Sequence, residues 1–407
     1  MAIRRAQALL SISKLKTSFV LGSFSRCHRF SSSSSQHSTQ FQNVGFIGLG
    51  NMGSRMVNNL VKAGFNVTVH DINRDVMKMF TEIGVSARET PYEVAQDSQV
   101  VITMLPSSSH VMDVYTGTNG LLHGDNAIRP ALLIDSSTID PQTTRKISLA
   151  VSNCNLKDRR DNWDKPVMLD APVSGGVLAA EAATLTFMVG GPKDAYLVAR
   201  PILESMGRTS IYCGGSGNGS AAKICNNLAM AVSMLGTSEA LALGQSLGLS
   251  ATTLTEVLNT SSGRCWSSDK YNPVPGVMEG VPSSRDYNGG FASKLMAKDL
   301  NLAAASAEEV GHKSALISKA QEIYKKMCED GHETKDFSCV FRHFYNGKDE
   351  ELVLATNTLA RLARFVSEVA PPRFLTVMRR HRGAKQKLDT IKEELEYRED
   401  CFSGGNL

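Results

Sequence analysis

Residues 44–64 read VGFIGLGNMGSRMVNNLVKAG, a short apolar strand, a glycine-rich turn and then a helix whose apolar positions recur at helical spacing. Gly48, Gly50 and Gly53 fall at G-x-G-x-x-G spacing, with Leu49, Asn51 and Met52 filling the turn between them. Such a turn brings backbone amides against a pyrophosphate at a helix N-terminus and packs helix closely on strand. The motif alone is common, and its surroundings give it meaning. A second apolar run at 65–69 follows the helix and leads into Asp71, about 20 residues past the turn, where a dinucleotide-binding unit needs an acid for the ribose hydroxyls. A carboxylate there repels a 2′-phosphate, so the expected cofactor is NAD rather than NADP.

Outward from this unit, strand and helix signals alternate. Residues 99–105 form a buried-strand run closed by Pro106, and residues 131–135 form another that ends in Asp135-Ser136-Ser137-Thr138. Ligands of such sheets lie beyond the carboxyl ends of the strands, which places Leu105, Pro106 and Thr138 beside the cofactor. Ser137 or Thr138 is also a suitable cap for a helix beginning near Pro141. After a charged loop at 153–165, the strand at 167–169 runs into DAPVSGG (170–176). Here Ser174, Gly175 and Gly176 offer a hydroxyl and consecutive backbone N–H groups, a chemistry suited to a carboxylate. Near residue 212 the period changes for good to helix only. The expected fold is therefore α/β, an N-terminal Rossmann-like doubly wound sheet (41–211) followed by an all-α C-terminal domain (212–347).

The helical part opens with GNGSAAKICNN (217–227). Four-residue spacing sets Lys223 and Asn227 on one helix face, and the apolar positions from 221 to 247 run nearly all round, the pattern of a fully buried helix. A lysine so placed loses solvation of its charged form, its pKa falls, and it becomes a usable proton acceptor. A further helix carries Lys298, which would lower the pKa of Lys223 and attract an anionic substrate if it faced the same cleft.

Composition narrows the classes. Net charge is +4, yet residues 1–40 hold six basic residues and no acid, so the rest of the chain is mildly acidic and carries no nucleic-acid footprint. Those forty residues, rich in Arg and Ser, read as an organellar transit peptide, mitochondrial by preference. No run of eighteen apolar residues suggests a membrane span. The eight cysteines and nine histidines show no metal-ligand spacing, so no metal is expected. Residues 348–407 turn to dense mixed charge and read as an atypical tail.

Four motifs in order, GFIGLGNMG, DAPVSGG, GNGSAAKICNN and FASKLMAKDL, make residues 43–349 resemble the β-hydroxyacid dehydrogenases, and RCWSSDKYNPVPGV (264–277) is similar to the 3-hydroxyisobutyrate branch of that family. The resemblance implies oxidation of (S)-3-hydroxyisobutyrate to methylmalonate semialdehyde with NAD in the mitochondrial matrix. It implies Lys223 as acid/base with Asn227 beside it, Lys298 in the substrate and nicotinamide site, and a homo-oligomer, dimer or tetramer. Where the nearest members of the family carry an asparagine four residues after the proline matching Pro106, this chain has His110. Reduction of a small aldehyde such as succinic semialdehyde or glyoxylate remains an alternative on the same fold, and a non-catalytic nucleotide-binding module a remoter one.

Overall fold

In the computed structural model, which describes residues 41–124, 127–158 and 164–347, the strand ahead of the glycine turn is β1 (Asn43–Ile47), and α1 (Gly53–Lys62) follows it. The expected transit peptide and charged tail lie outside the described residues. The chain continues through β2 (Asn66–His70), α2 (Arg74–Glu82), β3 (Ser86–Ala87), α3 (Pro91–Asp97), β4 (Val100–Thr103) and α4 (Ser108–Thr116). Then come β5 (Ala127–Ile128), β6 (Leu132–Asp135), α5 (Pro141–Ser152), β7 (Asn155–Leu156), β8 (Val167–Asp170), β9 (Val173–Ser174) and α6 (Gly176–Glu181). The sheet half ends with β10 (Leu185–Gly190), α7 (Lys193–Met206) and β11 (Gly207–Gly214).

The main sheet has the order β11-β10-β8-β6-β4-β1-β2-β3, with β9 paired to β10. Its neighbours are parallel, except that β10 runs antiparallel to β8 and β9. From β1 the chain winds out to β2 and β3, then returns to β4 on the other side of β1. The strand order thus reverses between β1 and β4, the point where doubly wound sheets hold their ligand. The central strands read as continuous apolar runs because both faces are covered. Along β4, Val100 and Ile102 join one apolar cluster while Val101 joins the other; on β6, Leu132 and Ile134 part from Leu133 in the same way. That two-residue alternation places α1, α2 and α7 on one face and α3, α4 and α5 on the other.

The helical half contains α8 (Asn218–Ser246), α9 (Ala251–Thr260), α10 (Trp266–Asp269), α11 (Ser293–Glu309), α12 (Ala315–Met327) and α13 (Phe341–Phe344). Its core gathers Met234, Met296, Leu300, Tyr324 and Phe337 around α8.

Three expectations are corrected. The sheet does not end at residue 211: β11, a polar edge strand with Thr209 and Ser210 among its residues, carries it to Gly214. The helix near Pro141 is capped by Asp140, whose carboxylate accepts from Thr143 N at 2.7 Å, and by neither Ser137 nor Thr138. And α8 is not buried all round. Lys223, Asn227, Ala231, Met234 and Leu241 face inward, while Cys225, Ala229, Gly236, Ala240, Leu243 and Leu247 form an exposed strip, since a single chain supplies packing partners for one side of the helix only.

Candidate active site

Local geometry explains the glycine turn. A Cβ on Gly53 would run into the carbonyl of Gly48, and one on Gly48 into that of Met104, so both are glycine because backbone occupies the space. Gly50 is different, for a Cβ there meets nothing within 4 Å. No side chain caps α1, whose N-cap is Met52. An open backbone shelf ahead of an uncapped helix N-terminus fits a pyrophosphate. Asp71, just past β2, accepts from Leu49 N at 2.6 Å through one carboxylate oxygen and from Asn73 N at 2.8 Å through the other. It is tied to the glycine turn and keeps lone pairs for ribose hydroxyls.

Across the switch point, the loops after β4 and β6 are bound together. Leu105 N donates to Ser137 Oγ at 2.8 Å, and Asp135 accepts from Thr103 Oγ1 at 2.8 Å and from Ser137 N at 3.2 Å. Asp135 is buried and its second oxygen makes no hydrogen bond among the described residues; burial pushes its carboxyl up to about 6 against the pull of the bonds that the first accepts. His110, on α4, holds its Nδ1 at 2.7 Å from Ser107 Oγ, within its own loop.

Asp170 joins the sheet to the helical half. Its oxygens accept from Gly217 N at 2.8 Å and Ser220 N at 2.9 Å, supplying from β8 the cap that Gly217, itself the N-cap of α8, has no side chain to provide. Burial raises its pKa, and the backbone N–H groups of Gly217 and Ser220 oppose the rise. Gly219 is glycine because a Cβ there would meet the carbonyls of Met188 and Asp170; what approaches so closely is backbone, not ligand.

Held in this way, α8 carries Lys223 inward. The residue is 8% exposed, and its ammonium makes no hydrogen bond among the described residues. Desolvation lowers its pKa from 10.5 to about 8, with the charge of Asp299 working against the fall and that of Lys298 adding to it. Four residues on, Asn227 is buried; its Nδ2 donates to Asp299 Oδ2 at 2.5 Å and its Oδ1 accepts from Asn226 at 3.1 Å. Asp299 lies 3.2 Å from Lys298 Nζ, and Lys298 Nζ in turn donates to Thr138 O at 2.9 Å and, more weakly, to Pro106 O at 3.5 Å. Lys298 and Asn227 therefore share one carboxylate, whose charge is also felt at Lys223. Asp299 was not among the residues singled out by sequence, although its position three after Met296, in line with the buried Leu300 and Ala303, marked it as an acid on an apolar face.

DAPVSGG is only in part a turn. Val173 and Ser174 pair with β10, and Gly175 and Gly176 follow at φ +131° and +69° on the exposed side. Among the described residues these three positions, Ser174 to Gly176, make no hydrogen bond with Lys223 or Asn227; the motif meets α8 through Asp170. In the 264–277 segment Trp266 stacks on Tyr271 with ring centroids 4.5 Å apart, Tyr271 on Phe337 at 5.8 Å, and the Tyr271 hydroxyl donates to buried Asp336 at 2.9 Å.

Comparison with known proteins agrees with this geometry. Residues 43–215 match the NAD binding domain of 6-phosphogluconate dehydrogenase, and residues 217–344 match the family described as NAD-binding of NADP-dependent 3-hydroxyisobutyrate dehydrogenase. The chain is 89% identical over 350 residues, 86% of its length, to the whole of a probable mitochondrial 3-hydroxyisobutyrate dehydrogenase of Arabidopsis thaliana. It is 50% identical over 300 residues to the mitochondrial 3-hydroxyisobutyrate dehydrogenase of Mus musculus, covering 74% of this chain and 86% of the mouse protein. Among solved structures, the Mycobacterium tuberculosis 3-hydroxyisobutyrate dehydrogenase with L-serine superposes with a TM-score of 0.68 at 40% identity, covering 74% of this chain and 99% of that one. With a dinucleotide shelf, a buried lysine and these relatives in agreement, the chain belongs to the β-hydroxyacid dehydrogenase family, in the branch of the 3-hydroxyisobutyrate dehydrogenases.

Proposed function

We propose that the chain oxidises (S)-3-hydroxyisobutyrate to methylmalonate semialdehyde, with Lys223 as the base. The observation that carries this reading is a buried lysine whose ammonium has no hydrogen-bond partner among the described residues and whose pKa is brought down to about 8. A neutral Lys223 takes the hydroxyl proton as the carbon gives up its hydride, and returns it in the reverse direction. Bound NAD supplies the hydride acceptor. Asn227, locked by Asp299, directs an amide at the reacting oxygen, and Ser174 with the N–H groups of Gly175 and Gly176 takes the substrate carboxylate. The dinucleotide lies along Gly48, Leu49, Gly50, Asn51, Met52 and Gly53, with Asp71 on its ribose and Leu105, Pro106 and Thr138 along its nicotinamide half. Lys298 stays on the cofactor side of the cleft, adding positive charge.

The division of labour follows the change of period, a cofactor-binding sheet half and a helical half that carries the base. The exposed strip of α8 is the face through which we expect two copies to associate. Residues 1–40 direct the protein to the mitochondrial matrix. NADH formation across a panel of 3-hydroxy acids, with L-serine included because the mycobacterial relative is seen with it, tests the substrate. The (S)-3-hydroxyisobutyrate arm should show the highest kcat/KM, and a higher value for L-serine, or turnover only with a small aldehyde and NADH, would overturn the assignment.

A further inference from the structure

Among the described residues, no apolar cluster spans the two halves. Each of the apolar clusters draws its members either from the sheet half, up to Met206, or from the helical half, from Ile224 onward. Polar contacts therefore do the joining. One set surrounds the start of α8, where Asp170 holds Gly217 and Ser220 and the Thr144 hydroxyl meets that of Ser220 at 3.0 Å. The other is far along the chain. Among the described residues, the side-chain hydrogen bonds from α11 to the sheet half are both made by Lys298, to Thr138 O and Pro106 O across 160 and 192 residues.

We propose that Lys298 is a clasp, a positioning residue that fastens α11 to the loops after β4 and β6 and thereby holds the dinucleotide in its cleft. An ammonium has three N–H donors. One is aimed at Thr138 and a second, weakly, at Pro106, while Asp299 stands at ion-pair distance from the same nitrogen without a hydrogen bond to it. The two carbonyls belong to the loops on the β4 side of the sheet's switch point, the place where the cofactor must enter and leave. The first turn of α8 is the fixed end of the helical half, and Lys298 is the end that can be released. Halves joined by polar contacts without a common core are expected to move against each other. Opening the clasp means breaking one charge-assisted bond, one weak one and an ion pair, a partly exposed set whose loss should raise an opening rate on the order of tenfold.

This inference rests on the proposed dinucleotide site, and its primary readout, NADH dissociation, needs the cofactor alone, whereas KM for the hydroxy acid is a second readout that separates it from a substrate-binding role. NADH dissociation would be followed by stopped-flow fluorescence for the wild-type chain, Lys298→Met and Lys298→Gln, the last keeping an amide donor on a similar stem. Lys298→Met should release NADH about tenfold faster, Lys298→Gln should fall between, and KM for the hydroxy acid should change less than threefold. A dissociation rate unchanged in both variants overturns the clasp. So does a tenfold or larger rise in KM for the hydroxy acid with NADH release unaltered, which would make Lys298 the substrate's ion-pair partner. If Lys298→Met does not fold, Lys298→Gln and the wild type still decide the dissociation rate. Failure of the wild-type chain to bind NADH would remove the cofactor reading itself, and the clasp with it.

Discussion

Replacing Lys223 with methionine should abolish turnover and stabilise the fold. The side chain is buried, and the fall of its pKa from 10.5 to about 8 measures how much worse the folded protein accommodates the ammonium than water does. At about 1.4 kcal/mol for each tenfold, that cost is about 3 kcal/mol. Methionine has a similar stem and no charge to desolvate, so Lys223→Met recovers most of this at pH 7, on the order of 5 °C in Tm for a chain of this size. The sign follows from proton binding. Between the folded value near 8 and the unfolded value of 10.5, the unfolded chain binds more protons than the folded one, so the wild-type chain gains stability as pH rises through that window. The advantage of the variant is therefore complete below pH 8 and vanishes towards pH 10.5. Thermal unfolding of both proteins at half-unit steps from pH 6.5 to 10.5, with NADH formation alongside, gives the comparison. A Tm difference that is negative at pH 7, or one that stays constant across the window, would refute the claim that desolvation sets this lysine's pKa; wild-type turnover in Lys223→Met would refute its role as base.

Three further outcomes follow from the same geometry. With NAD saturating, the limb of kcat/KM near pH 8 should move upward in kcat by on the order of one pH unit, because a bound substrate carboxylate favours the charged lysine; coincident limbs would place that carboxylate away from Lys223. Asp71→Ser removes the ribose acceptor and the repulsion of a 2′-phosphate, so the ratio of kcat/KM for NAD over NADP should fall roughly tenfold or more, and an unchanged ratio would exclude Asp71 from cofactor choice. Asp170→Ala leaves the buried N–H groups of Gly217 and Ser220 without acceptors and should cost about 2–3 kcal/mol in urea unfolding, with kcat falling more than NADH affinity; a loss below about 0.5 kcal/mol would show that α8 does not depend on this cap.

What the sequence displayed and what it hid divide along sequence separation. The glycine turn and Asp71 are legible because the motif is local in sequence, although the carbonyl that makes Gly48 a glycine belongs to Met104, far along the chain. Lys223 and Asn227 are legible because one helix fixes their common face. The two-residue strands β3 and β9 are too short to show a period, and the polar edge strand β11 shows none that separates it from a loop. The exposed strip of α8 escaped notice for another reason: an apolar circumference says that a helix wants covering on all sides, not that one chain can cover it.

Asp135, Asp170 and Asp299 were all in plain view in the sequence, yet none declared its role, because the partners that tie them to other elements lie 32, 47 to 50 and 72 residues away. A carboxylate is costly to bury, so each of the three draws donors to itself, although one oxygen of Asp135 and one of Asp299 make no hydrogen bond among the described residues. Asp135 gathers Thr103 and Ser137 and so ties together the two cofactor-side loops; Asp170 gathers the first amides of α8 and so sets the depth of Lys223; Asp299 gathers Asn227 and Lys298. Hydroxyls or amides at these positions would satisfy fewer donors and draw them less strongly, since a bond to an ionised acceptor is roughly twice as strong as a neutral one. Each acid therefore holds in place a part of the cleft that does the binding or the proton transfer. The residues proposed to touch substrate and cofactor are recognisable by motif, while the residues that fix their positions are recognisable only once the chain has folded and the donors around each buried carboxylate can be counted.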